Sequence, residues 1–435
     1  MNRIITFILL LHAITSVGQV LDTTFVPKVD STYSIQRNIK PFIGIDTISC
    51  INDKENAIIF NEADWSTLFQ SMKMLRDTTQ GNQNIVSIVH LGDSHVQAGT
   101  FTETLRIPMQ SIWGNAGRGL VVPLKITKSN EPLDYRINSL SKWQFSRCLG
   151  KQFSNQVGVG GILIEPVTNS IDLTFLTKSR YGEDVKFNKL RLLHSATDSF
   201  PKLNLTDTLS GLNIHSPIAG ETCYSWDNPT NTISLQGTNN STPSNAAIYG
   251  AILEKNNSGI LVHTIGNNSA TYECYNRIDN YGKKLARLNP DLIIISLGTN
   301  ESVSSVFKGE RLEREIDKLI SSIKKESPNA LFLLTTPADN KLRRVRRNKR
   351  RRRVAYYINN INLPHIVETI KEYGKKNNIA VWDWYTISGG KGAYDTWIKE
   401  DGMRKDHIHY TPKGYTLQGN LLFNSILNAY EQHIQ

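Results

Sequence analysis

Residues 85–91 form an apolar run of strand length, rich in β-branched side chains. The run breaks at Gly92-Asp93-Ser94 and gives way to helical spacing across residues 100–113. The same alternation returns later. Apolar runs at 259–265, 291–297, 330–335 and 379–384 read as buried parallel strands. Between them lie helical patterns. Tyr275, Ile278, Tyr281 and Leu285 share one face, as do Leu312, Ile316, Leu319 and Ile323 within 309–326. Further helices are expected at 61–76 (Trp65, Leu68, Met72 and Leu75 inward), at 363–377, and from Pro412 to the end of the chain. Strands alternating with helices predict an α/β fold with a doubly wound parallel sheet.

From about residue 117 to 258 the pattern is different. Short β-like runs (119–122, 161–165, 171–176, 190–194, 232–236, 246–254) alternate with clusters of Asn, Ser, Thr, Gly and Pro. That spacing predicts an antiparallel β-sandwich inserted after the first strand–helix unit. The expected division is therefore an α/β domain from 61–116 and 259–435, and a β-rich insert at 117–258. Trp143, Tyr181, Tyr224 and Trp226 of the insert are candidates either for stacking on sugars or for its core.

With 435 residues, 39% of them hydrophobic, the chain can build a large core and two domains. Residues 1–18 read as a secretory signal: Asn2-Arg3 is the basic end, Ile4 to Leu11 the apolar stretch, and Ser16 to Gly18 the small-residue site before Gln19. Residues 19–60 read as an extended leader. The apolar stretch of the signal is too short to span a bilayer, and no later segment is long enough. No cysteine follows the signal to carry a lipid anchor. The expectation is a secreted or periplasmic protein. Export permits disulfides, and Cys50, Cys148, Cys223 and Cys274 leave three full pairings open beside free buried thiols. Their wide spacing argues against zinc. The formal charge is +11, much of it in the run Arg343 to Arg353. In an exported protein this suits an anionic surface polymer or lipid better than nucleic acid, which is not expected; a solvated basic loop carries equal weight.

The strands deliver polar residues to one edge of the sheet, where α/β folds place their ligands. Ser94 lies at the turn after the first strand, with its backbone N–H at a helix N-terminus. A serine hydroxyl is a weak nucleophile and needs a base. Asp406-His-Ile-His409 supplies one: His409 as base, with Asp406 three residues earlier to orient the ring and stabilise the imidazolium. The Ser94 N–H, an N–H from Gly266 or Ser269, and the Asn300 side chain would hold the oxyanion. Each piece alone also reads as an ordinary cap or turn. A metal site built from His90, Asp93, His95 and His409 is the competing arrangement. It is disfavoured because His90 lies within a strand, while His95 reads as a supporting residue and His407 as solvent-facing.

This set resembles the SGNH (GDSL-like) hydrolases. Gly92-Asp93-Ser94 matches the first block, Gly298-Thr-Asn300 the third, and Asp406-x-x-His409 the fifth. The second block departs, with Ser269 at the position of the usual oxyanion glycine and Gly266 one turn earlier. The resemblance implies a flavodoxin-like sheet of SGNH type and no metal or organic cofactor. An insert between the first and second blocks of an exported chain is similar to bacterial peptidoglycan O-acetylesterases. That implies an acylated glycan substrate, with peptidoglycan among the candidates. Two other functions use the same parts: a non-catalytic glycan-binding surface protein, and an O-acyltransferase in which a sugar hydroxyl replaces water.

Overall fold

The Ile85–Gly92 strand lies second from one edge of a five-stranded sheet. Gly259–Gly266 pairs with it on one side and Leu292–Ser296 on the other, followed by Leu331–Thr335 and Ala380–Trp382. Every pairing is parallel. In chain order the strands run 2-1-3-4-5, the flavodoxin-like arrangement, whose crevice opens beside the first strand. The chain is described by a computed structural model covering residues 47–76, 84–197, 200–238, 246–303, 307–348 and 351–434. The expected signal and most of the leader, up to residue 46, lie outside the described residues.

The unbroken apolar runs follow from burial on both faces. Val86, Ile88, Leu292 and Ile294 point into one core with the helices Ser66–Met74, Thr100–Trp113 and Pro412–Ile434. Val89, Leu91, Ile293 and Ile295 point into the other, with the helices Gly309–Glu326 and Leu363–Lys376. The helix Pro412–Ile434 lies so close to Thr100–Trp113 that a Cβ on Gly419 would stand 2.0 Å from Thr104 Oγ1.

Residues 117–254 contribute two antiparallel sheets. The larger runs Trp143–Arg147, Ile162–Pro166, Ile248–Glu254, Phe187–His194, Glu221–Thr230 and Asn213–His215, with Gly117–Val121 also on Ile248–Glu254. The smaller runs Tyr135–Asn138, Ser170–Thr177, Thr232–Thr238 and Asn204–Leu205. Their apolar side chains join the same continuous core as Val89, Leu91 and Ile265, so this region packs directly on one face of the parallel sheet. Tyr224 and Trp226 are core residues there. The Tyr224 hydroxyl donates to Leu203 O (2.8 Å) and Trp226 packs on Phe187. Trp143 and Tyr181 stay half-exposed.

Several elements differ from the sequence expectation. The first helix is confined to Ser66–Met74. The expected helical face of Tyr275, Ile278, Tyr281 and Leu285 is split between two helices, Tyr272–Asn276 and Tyr281–Ala286, with Ile278 in the turn between them, where Asn280 takes a left-handed φ of 52°. The last strand stops at Trp382, since Asp383 caps a helix Trp384–Ile387 by accepting from Thr386 N; a further helix, Ala393–Lys399, follows. The basic run is not a loop. Lys341–Arg347 and Arg353–Asn359 pair as an antiparallel hairpin. The four cysteines are free thiols, Cys148 and Cys223 buried. Among the described residues, no helix is long and apolar enough to cross a membrane.

One buried ion cluster ties the α/β part to the β-rich region. Asp134 pairs with Arg106 of the Thr100–Trp113 helix (3.2 Å) and with Arg118 of the Gly117–Val121 strand (2.6 Å between charged atoms), and accepts a hydrogen bond from each guanidinium (3.2 and 3.3 Å). All three side chains are at most 5% exposed. Removing the carboxylate strands two buried guanidiniums, a loss of about 3–5 kcal/mol. Asp134→Ala should lower the urea midpoint accordingly, and an unshifted midpoint would mean that water already screens the cluster.

Candidate active site

At the end of the Ile85–Gly92 strand, the chain turns sharply at Gly92, where a Cβ would lie 2.4 Å from Val96 Cγ2 and 2.7 Å from Ser296 O. Asp93 caps the short helix Ser94–Gln97 by accepting from His95 N (2.9 Å). Tyr275 braces the turn from beneath, its hydroxyl donating to Gly92 O at 2.6 Å. Ser94 is thereby held partly exposed at the sheet edge.

Ser94 Oγ lies 2.9 Å from His409 Nε2, although the two residues are 315 positions apart in sequence. His409 Nδ1 lies 2.9 Å from Asp406 Oδ2, and Asp406 Oδ1 accepts the backbone N–H groups of Ile408 and His409. Burial by itself would raise the Asp406 pKa. The bonds from the His409 ring and from the two backbone N–H groups outweigh it and hold the carboxyl well below its usual range. An ionised Asp406 on Nδ1 places that ring proton between them and leaves Nε2 as the acceptor facing Ser94.

The oxyanion candidates are arranged less simply. Gly266 ends its strand directly beneath the Ser94–Gln97 helix, and a Cβ there would stand 2.2 Å from Gln97 N, so close packing alone requires this glycine. In the loop that follows, Asn268 N donates to Gln97 Oε1 (2.7 Å) and Ala270 N to Asn267 O (2.9 Å). Ser269 sits between them, exposed, with a left-handed φ of 69°. The Asn300 amide donates to Ala270 O (2.9 Å) and to Asp93 Oδ2 (3.1 Å). A cleft of about 380 Å³ opens beside Asn300, walled in part by Tyr272, Phe307 and Arg311.

Some of the supporting residues escaped the sequence reading. Glu301 is half-buried; one carboxylate oxygen accepts from Tyr272 N (2.9 Å), the other from Gly298 N (3.0 Å), joining the second and third loops. Its only signal in the sequence is a carboxylate next to Asn300. Tyr415, from the last helix, shares a 3.2 Å hydrogen bond with His95 Nδ1. His95 is enclosed by Tyr410, Tyr415 and His409, and burial, together with the neighbouring His409, pushes its pKa down to about 3. It is a neutral packing partner of His409. His90 is buried with both ring nitrogens engaged, Nδ1 with Thr102 (2.8 Å) and Nε2 with Ser296 (2.9 Å). Those bonds account for it without a metal. His407, expected to face solvent, is half-exposed, with its ring packed on Tyr357 of the basic hairpin, 4.1 Å between centroids.

Comparison with known proteins shows what this chain is similar to. Residues 230–417 match the model of the GDSL-like lipase/acylhydrolase family, a span that holds Gly266, Ser269, Asn300, Asp406 and His409 but begins after Ser94. Residues 230–417 are thus similar to the SGNH (GDSL-like) acylhydrolases, and the fold of the whole chain is of the same type. Its fold is similar to that of a peptidoglycan O-acetylesterase, with a TM-score of 0.69 at 19% identity over 86% of this chain and 99% of the other. A lipase/acylhydrolase from Enterococcus faecalis (19% identity, 39% of this chain and 77% of that one, TM-score 0.28) also matches. So does a GDSL-like lipase from Bacteroides thetaiotaomicron (17%, 40% and 76%, TM-score 0.28). A search of curated protein sequences gave no match.

Burial drives the Glu301 pKa up to about 7, so the folded state retains a proton that the unfolded state releases above its ordinary value near 4.5. The contribution of Glu301 to stability therefore falls as pH rises through that window and is gone above about 7. One such proton corresponds to a slope of up to about 1.4 kcal/mol per pH unit. Urea denaturation at several pH values between 5 and 7.5 should show a shallower decline for Glu301→Gln than for the wild type; parallel curves would remove Glu301 as the source.

Proposed function

We propose that the protein is a serine esterase that removes O-acyl groups, O-acetyl first among them, from a cell-wall or other glycan, with Ser94, His409 and Asp406 as its catalytic triad. The observation that carries this reading is the unbroken line Ser94 Oγ–His409 Nε2 and His409 Nδ1–Asp406 Oδ2, each link 2.9 Å. The acylhydrolase class supports ester chemistry, and a peptidoglycan O-acetylesterase of the same fold makes peptidoglycan the first polymer to test.

In the proposed cycle, Ser94 Oγ attacks the acyl carbonyl while His409 Nε2 takes its proton. Asp406 stabilises the imidazolium without itself becoming protonated. The oxyanion is held by the Ser94 and Ser269 N–H groups and by Asn300. For that role Asn300 turns one N–H away from Asp93, the longer of its two bonds. Collapse breaks the bond to the sugar oxygen, which receives the proton from His409 and leaves as an alcohol. Water, deprotonated by His409, then attacks the acyl–Ser94 ester and releases the carboxylate. The cleft beside Asn300, with Tyr272 and Phe307 in its wall, is the proposed seat of the glycan. Residues 1–18 are proposed to direct export; if so, the N-terminus of the protein recovered from the periplasm or medium of an expressing bacterium is Gln19, and an intact Met1 there overturns it.

Ser94→Ala should abolish acetate release from acetylated peptidoglycan, from acetylated xylan and from p-nitrophenyl acetate, with the circular dichroism spectrum unchanged. Asn300→Ala should lower kcat by about 10²–10³ with little change in KM. Undiminished turnover in the Ser94 variant removes the triad. Transfer of the acyl group to a sugar hydroxyl in place of acetate release would make the enzyme a transferase.

A further inference from the structure

Residues 341–359 hold ten Lys or Arg and no carboxylate, so the hairpin carries +10 of the chain's +11 and leaves +1 for everything else. The positive charge is thus concentrated on one arm of an otherwise nearly neutral protein. Arg343, Arg346, Arg347 and Arg353 are exposed and Arg344 is half-exposed. Among the described residues, the arm's arginines form no ion pair, while Lys341 at its base pairs with Asp395.

The base of the arm adjoins the turn that carries His409. Lys341 N donates to His407 O at 3.1 Å, and the Tyr357 ring lies on the His407 ring, two residues from His409. A strand of seven residues spans about 20 Å, so the arm is a charged rail leading away from the site.

We infer that this arm binds a polyanionic glycan chain and feeds its acyl esters to Ser94, a role that rests on the esterase reading above. Cross-strand pairing decides between a polymer and a membrane surface. Arg344 and Arg346 share one face of the ribbon with Val354, Tyr356 and Ile358, while Arg343, Arg347 and Arg353 share the other with Val345, Ala355 and Tyr357. Charge and apolar groups are therefore mixed on both faces. A surface-lying element separates them, apolar toward the lipid and basic toward the headgroups. A ribbon that is cationic all round suits a flexible chain whose carboxylates or phosphates it can meet from either side. Exposed Tyr356, with the Arg346 guanidinium 5.4 Å from its ring centroid, offers a face for a sugar ring between charges.

The test uses the full mature chain and its Arg344→Gln/Arg346→Gln/Arg347→Gln/Arg353→Gln variant. Five probes are measured: fluorescent polygalacturonate, O-acetylated polygalacturonate, neutral dextran, phosphatidylcholine vesicles containing about one-third phosphatidylglycerol, and p-nitrophenyl acetate. The wild type should bind polygalacturonate and not dextran. Its affinity should fall on the order of tenfold between low salt and about 0.3 M salt. The variant should lose about tenfold or more at low salt while hydrolysing p-nitrophenyl acetate at the wild-type rate, and KM for O-acetylated polygalacturonate should rise with kcat unchanged. Polygalacturonate binding equal in the two proteins, or no stronger than dextran binding, overturns the inference. So does substitution-sensitive binding to the vesicles alone, which would make the arm a membrane contact. A wild type inactive on every ester strikes at the Ser94 reading instead, because polymer binding by the arm is measured separately.

Discussion

The site depends on a carboxylate that water does not reach. Asp93 is 1% exposed, accepts the His95 N–H that starts the Ser94 helix, and accepts the side-chain amide of Asn300 from the third loop. Burial raises its pKa to about 7, the more so because these bonds only partly replace lost hydration. Glu301 repeats the device one loop away, accepting N–H groups from the second loop and from its own turn. Two carboxylates thus hold three loops in one register. Their burial is a cost in stability that the apolar core on both faces of the sheet offsets. Such strain is expected where geometry has to be fixed for chemistry.

The antiparallel region and the hairpin stand in different relations to that centre. The first shares a continuous apolar core with Leu91 and Ile265 and is locked to the helix after Ser94 through Arg106, Arg118 and Asp134, so it belongs to the rigid body that carries the site. The hairpin is joined mainly at its base, through Lys341, Tyr357 and His407, and leaves its remaining length to solvent. One addition packs against the site's scaffold, and the other stands out from it.

Much of the parallel sheet was legible because both-face burial leaves a plain mark: runs such as 291–297 can hardly be anything but an interior strand. The helices Thr100–Trp113 and Gly309–Glu326 were equally plain from their apolar spacing. The failures have local causes. The continuous face from Tyr275 to Leu285 concealed the break at Asn280, because periodicity does not register a single left-handed residue. The hairpin read as a loop, since arginine is a poor strand signal and the pairing of Lys341–Arg347 with Arg353–Asn359 shows in no single strand. Strands such as Tyr135–Asn138 and Asn213–His215 were too short to stand out.

The amino-acid order by itself determined on which edge of the sheet the candidate residues would emerge, because strand and helix periods are local properties of a few turns of chain. It also determined that Asp406 and His409 could meet, being three residues apart. Only the tertiary structure decided that Ser94 stands 2.9 Å from a ring 315 positions away, that Asn300 is turned toward Asp93, that Gly266 lies under a helix while Ser269 is exposed, and that the basic run leans on His407. Those facts depend on how helices and sheets pack, and packing is settled by the fit of many distant side chains at once, which no local pattern records.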